Sequence, residues 1–88
     1  MKILLAEDDE LILKTIEHKL KNEGYDIILC RNGKEAIDHI VSDPPDLVVT
    51  DIMMPFASGI EILSAIQQHN LSINVIVLSS LGQEDVVE

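Results

Sequence analysis

The chain has 88 residues and a 47% apolar composition in which only Tyr25 and Phe56 are aromatic, which predicts one domain with an aliphatic core and argues against disorder. Its formal net charge of −10 repels phosphate backbones and anionic lipid, so this segment is not expected to bind nucleic acid or membrane directly. Cys30 stands alone and allows no disulfide within the chain. No stretch approaches the roughly 18 apolar residues of a membrane span, and the short apolar start does not make a secretory signal. A soluble, reducing, cytoplasmic setting is the expectation.

Read in order, the elements alternate. Ile3-Leu4-Leu5-Ala6 is a continuous apolar run of the kind found in a strand buried on both faces. A helix is predicted from Glu10 to Asn22, with Ile12, Ile16 and Leu20 in one stripe and Leu13 widening it; Gly24 ends it. Asp26 to Cys30 reads as a second strand, with Cys30 a buried, inert thiol. Asn32-Gly33 is a turn signal, and Ala36, Ile37, Ile40 and Val41 mark a second helix stopped by Pro44-Pro45. Leu47 to Thr50 is a third strand, and Asp51 to Ala57 a loop. Ser58 opens a third helix, with Glu61 completing a capping box, Ile62, Leu63 and Ile66 on its apolar face and Asn70 near its end. Asn74 to Leu78 is a fourth strand. Ser79 to Gly82 is a loop, and Gln83 to Glu88 reads as the first turns of a fourth helix.

This βαβαβαβ order predicts a parallel sheet with helices on both faces and right-handed crossovers. Ligand sites in such sheets lie beyond the carboxyl ends of the strands. There the sequence places Glu7-Asp8-Asp9 after strand one, Arg31 and Asn32 after strand two, Asp51 after strand three, and Ser79 and Ser80 after strand four. Carboxylates crowded at one edge either raise their pKa values or hold a cation. Mg2+ suits hard oxygen ligands, and an aspartate can itself act as a nucleophile toward phosphorus. For Asp9 the preferred reading is a helix N-cap. Glu7, Asp8 and Asp51 taken singly are equally consistent with helix-start or turn residues. His18, His39 and His69 are too dispersed for a metal cluster and are read as surface residues, while Met53-Met54 is read as loop and core.

At these residues the sequence resembles the receiver domain of two-component response regulators. The resemblance covers the whole chain. It rests on Ile3-Leu4-Leu5-Ala6-Glu7-Asp8-Asp9, on Pro45-Asp46-Leu47-Val48-Val49-Thr50-Asp51-Ile52-Met53-Met54-Pro55 with Gly59, and on Val75-Ile76-Val77-Leu78-Ser79-Ser80. It implies a flavodoxin-like, doubly wound parallel sheet of strand order 2-1-3-4. It implies that Asp51 accepts a phosphoryl group, that Glu7, Asp8 and Asp51 hold Mg2+ together with the backbone carbonyl of Met53, and that Ser79 is the switch hydroxyl. The implied phosphodonor is a histidine kinase or phosphotransfer protein, with the first helix as its docking element. The implied role is a signalling switch and not an enzyme.

Departures from the family pattern are also legible. A fifth strand and helix, the lysine that follows that strand and its aromatic switch position have no counterpart, so the chain reads as a receiver shortened at its C-terminus. Such shortening leaves the fourth strand as an open edge, and a homodimer, by strand addition or exchange of elements, is expected. Met53 and Leu81, both apolar, cannot orient an attacking water, which predicts a long-lived aspartyl phosphate. Two rivals stand beside this reading. A phosphotransferase of the haloacid-dehalogenase type also uses a strand-end aspartate, but it carries Asp-x-Asp where this chain has Asp51-Ile52-Met53. The other rival is a receiver-like interaction module that is not phosphorylated.

Overall fold

The chain, seen here as a computed structural model that describes residues 1–51 and 58–78, turns each apolar run into a strand and each amphipathic stretch into a helix. In chain order these are β1 (Lys2–Ala6), α1 (Glu10–Asn22), β2 (Asp26–Cys30), α2 (Gly33–Ser42), β3 (Leu47–Asp51), α3 (Gly59–Gln68) and β4 (Asn74–Leu78). The four strands form one parallel sheet in the order β2-β1-β3-β4. This is the doubly wound, flavodoxin-like arrangement expected. Met53, Ser79 and Leu81, the loop assigned to Asp51–Ala57 apart from Asp51 itself, the loop assigned to Ser79–Gly82 and the helix assigned to Gln83–Glu88 lie outside the described residues.

Helices pack on both faces of the sheet because its strands are apolar on both sides. Leu4, Ala6 and Val48 pack against Ala36 and Ile40 of α2 and Ile62 and Ile66 of α3. Ile3, Leu5 and Val49 face the other way, against Leu13 of α1 with Ile16 and Leu20 at its margin. Adjacent residues of one strand therefore belong to different layers, as the period of two requires.

Two side chains depart from the expected helix faces. Ile12 is 44% exposed and Val41 43% exposed, while Leu13 is fully buried. The row of α1 that faces the sheet is buried Leu13 with half-buried Ile16 and Leu20, at i, i+3, i+7: it keeps three residues of the predicted stripe and leaves out Ile12. Asp51 is a third correction: it is the last residue of β3, paired with Leu78, and not the first residue of a loop.

The helix ends follow local chemistry. Asp9 caps α1 by accepting the N–H groups of Leu11 and Ile12 at 3.0 and 3.2 Å. Asn32 caps α2 through Glu35 N–H at 2.9 Å, and the Ser58 hydroxyl accepts Glu61 N–H at 3.4 Å. Gly24 takes φ +88° after α1, a left-handed conformation that costs glycine least. At the amino end of the sheet, Lys2 N–H donates to the Asp46 carboxylate at 2.7 Å, Asp46 N–H donates back to the Lys2 carbonyl at 2.8 Å, and Lys2 Nζ pairs with Asp43 at 2.8 Å. This clasp starts β3 beside β1 and helps hold the register that ends with Ala6 opposite Thr50.

Candidate functional site

The chain runs from β1 to β2 on one side and then crosses back over β1 to β3 on the other, so the strand order reverses between β1 and β3. A crevice opens at such a reversal, beyond the carboxyl ends of the two strands. Glu7 directly follows β1, Asp8 follows Glu7, and Asp51 ends β3. The Ala6–Thr50 register brings these ends level. One carboxylate oxygen from each of Glu7, Asp8 and Asp51 lies within 4.8 Å of the other two. The structure thus brings together the three carboxylates singled out from sequence.

Their surroundings differ. Glu7 is 4% and Asp51 5% exposed, whereas Asp8 is open to solvent. Glu7 N–H donates to the Cys30 carbonyl at 3.0 Å, which anchors the residue to β2, and the Glu7 carboxylate accepts Asp9 N–H at 3.1 Å. Burial pushes the Glu7 carboxyl up from 4.5 to about 7; Asp8 and Asp51 add to the rise, and the Asp9 N–H works against it. Among the described residues, Asp51 Oδ1 is a buried polar atom with no hydrogen-bond partner. A buried carboxylate oxygen without a partner is costly, because desolvation is uncompensated. The crowding and the orphaned oxygen are both relieved by a hard cation, and an all-oxygen donor set with one face open to water fits Mg2+.

Other chemistry-bearing residues sit apart from this cluster or have structural work. Asp9 is the N-cap of α1, as expected. Arg31 bridges from the end of β2 to Glu10 in the first turn of α1, and Glu35 accepts its N–H at 3.1 Å. The Glu10 carboxylate beside it raises the Arg31 pKa further. On α1, Glu17 lies between Lys14 at 3.6 Å and Lys21 at 3.1 Å, and the Lys21 hydrogen bond lowers its carboxyl pKa. His18, His39 and His69 are exposed on three different helices or helix ends. Cys30 is fully buried, and desolvation pushes its thiol up to about 12, which leaves it unreactive. A cavity of about 560 Å³ lined by Leu47, Leu63, Ile73 and Val75 opens at the amino ends of β3 and β4, at the far edge of the sheet from the carboxylates.

Sequence reasoning passed over Thr50. It is fully buried on β3, and its hydroxyl donates to the Asp51 carbonyl at 3.0 Å. The signal was a single hydroxyl inside Leu47-Val48-Val49-Thr50, where valine would fill the same space.

A doubly wound parallel sheet with a buried aspartate and an acidic pair at its reversal point places the chain among flavodoxin-like domains that carry an acidic site at the carboxyl edge of the sheet. The profile of the response regulator receiver domain matches residues 3–88, and the chain belongs to that family. It is 44% identical over 84 residues to response regulator RR06 of Streptococcus pneumoniae, covering 96% of this chain and 38% of that protein. It is 34% identical over 83 residues to the alkaline phosphatase synthesis transcriptional regulatory protein PhoP of Bacillus subtilis, covering 94% and 35%. The receiver domain of Francisella response regulator 1452 superposes with a TM-score of 0.85 at 36% identity, over 93% of this chain and 68% of that one. The chain thus spans little more than a third of these curated relatives. Among the described residues, no helix is long and apolar enough to cross a membrane.

Proposed function

We propose that this chain is a phosphoacceptor of a two-component phosphorelay, with Asp51 as the residue that takes the phosphoryl group. The observation that carries the reading is the orphaned, buried Asp51 carboxylate oxygen beside Glu7 and Asp8. An oxygen of the Asp51 carboxylate attacks phosphorus, the bond from phosphorus to the donor's leaving atom breaks, and the leaving group keeps the electron pair. The product is an acyl phosphate on Asp51. Glu7, Asp8 and Asp51 would hold Mg2+, which when bound offsets the negative charge between the carboxylate and the incoming phosphate. By resemblance Met53 lends its backbone carbonyl to the metal, and Ser79 supplies the hydroxyl that turns toward the phosphoryl group.

The phosphodonor is a phosphohistidine protein, either a histidine kinase or a phosphotransfer protein, that docks along α1 in a cytoplasmic setting. The test is intact mass after incubation with Mg2+ and acetyl phosphate, with Asp51→Asn as control. A gain of one phosphoryl group that needs both Mg2+ and Asp51 is expected. No gain in a chain whose circular dichroism shows it folded would instead favour an interaction module that keeps the architecture without the reaction.

A further inference from the structure

The acidic connection between β1 and α1 is attached to the end of β2 at two successive residues. Glu7, Asp8 and Asp9 alone separate the last residue of β1 from the first of α1. At the start of this connection, Glu7 N–H donates to the Cys30 carbonyl at 3.0 Å. Just past its far end, the carboxylate of Glu10, the first residue of α1, accepts a charged hydrogen bond from Nε–H of Arg31. Arg31 is itself anchored to α2, since its backbone N–H donates to the Glu35 carboxylate at 3.1 Å. Within the connection the Glu7 carboxylate accepts Asp9 N–H, and the Asp9 carboxylate accepts two N–H groups of α1. Asp8 thus stands between two points that are each tied to the end of β2, with its carboxylate in the cluster it forms with Glu7 and Asp51.

Both side chains of the Arg31–Glu10 pair are about half exposed, and an ion pair so open to water adds little to overall stability. Its effect is local: it fixes where α1 starts relative to β2, and with that the path of the residues that carry two of the three clustered carboxylates. We propose that Arg31 is a positioning residue for the carboxylate site: paired with Glu10, it holds the connection from β1 to α1 so that the Glu7 and Asp8 carboxylates stay gathered with Asp51 around one Mg2+ ion. The inference rests on the metal reading given above. Charge alone predicts the reverse, because removing a positive group beside a cation site tightens metal binding.

The experiment is calorimetric Mg2+ titration of the parent chain, Arg31→Met, Glu10→Gln and the double variant, together with the Mg2+ dependence of acetyl phosphate labelling. Arg31→Met is expected to bind Mg2+ about 2- to 5-fold more weakly, the range that one exposed ion pair supports. Its labelling curve is expected to shift to higher Mg2+ by the same factor and reach the parent's rate at saturation. In the Glu10→Gln chain the same Arg31→Met change is expected to cause no further loss, because the bridge is already gone. If circular dichroism shows that Arg31→Met does not fold, Arg31→Ala takes its place. A folded Arg31 variant that binds Mg2+ as tightly as the parent, or more tightly, overturns the positioning role and leaves the site reading intact. So does an equal loss in the Glu10→Gln chain, which would show that Arg31 does not act through Glu10. A parent chain that binds no Mg2+ overturns both the role and the site reading, and is recognised by the parent's own titration.

Discussion

Glu7 carries the most informative titration in the chain. Its carboxyl binds a proton more tightly in the folded state, with a pKa of about 7, than in the unfolded chain near 4.5. Folding is therefore linked to protonation, and stability is lost where the native state must give that proton up. In the metal-free chain this contribution is intact below about pH 4.5, declines as pH rises toward 7 and is gone above it. The unfolding free energy from urea titrations in the presence of a chelator should fall across that window by on the order of 1–3 kcal/mol, given about 1.4 kcal/mol per pH unit and some solvent screening. Glu7→Gln should flatten the decline. Asp51→Asn should shrink it, because it removes one of the charges that raise the Glu7 pKa, and should stabilise the metal-free chain at pH 8 by about 1 kcal/mol by relieving like-charge repulsion. A pH-independent midpoint between 4.5 and 7 would count against a buried, proton-holding Glu7. Mg2+ competes with the same proton, so its affinity should rise through pH 7.

At the scale of elements, stability at the carboxyl edge of the sheet depends on helix starts. Asn32 is well placed to show this, since its side chain caps α2 and it is not one of the three clustered carboxylates. Asn32→Ala should lower the unfolding free energy from denaturant titration by about 1 kcal/mol while Mg2+ binding is unchanged. The caps at Asp9 and Ser58 were legible in the sequence because they act on residues two or three positions away, whereas Asn32 read only as part of a turn and its capping role emerges with α2. The strands were legible because continuous runs such as Ile3 to Ala6 and Leu47 to Thr50 suit a sheet covered on both faces. The face of α1 was not, because Ile12-Ile16-Leu20 and Leu13-Ile16-Leu20 are equally good helical rows. Only the docking of α1 over β1 and β2 chooses Leu13 and leaves Ile12 exposed. The same limit hid Thr50 and the end of β3. Whether Asp51 still pairs with Leu78, and where a hydroxyl's proton goes, depend on a neighbouring strand and not on spacing along the chain. The gathering of Glu7, Asp8 and Asp51 was legible for the opposite reason: the alternation of elements fixes which strand ends share an edge, whatever the side-chain detail.

For the molecule as a whole, a net charge of −10 is carried on a body whose radius of gyration over the Cα atoms is 11.8 Å. Screening in ordinary buffers acts over about 8–10 Å, a length comparable to that radius, so any salt should stabilise the fold by damping self-repulsion. Mg2+ should do this and more, because binding at the carboxylates adds RT ln(1 + [Mg2+]/Kd), about 2.7 kcal/mol at a hundredfold excess over Kd. The two effects separate at matched ionic strength. Thermal midpoints of the parent chain at pH 8 should be higher in MgCl2 than in NaCl, and the difference should grow logarithmically with Mg2+ once past Kd. In Asp51→Asn the general salt effect should persist, since one charge in a net of ten hardly alters screening, while the Mg2+-specific increment collapses. Equal increments in the two proteins would mean that Mg2+ acts on this acidic surface only as a better screening ion. The buried Asp51 oxygen would then need a different partner to offset its desolvation.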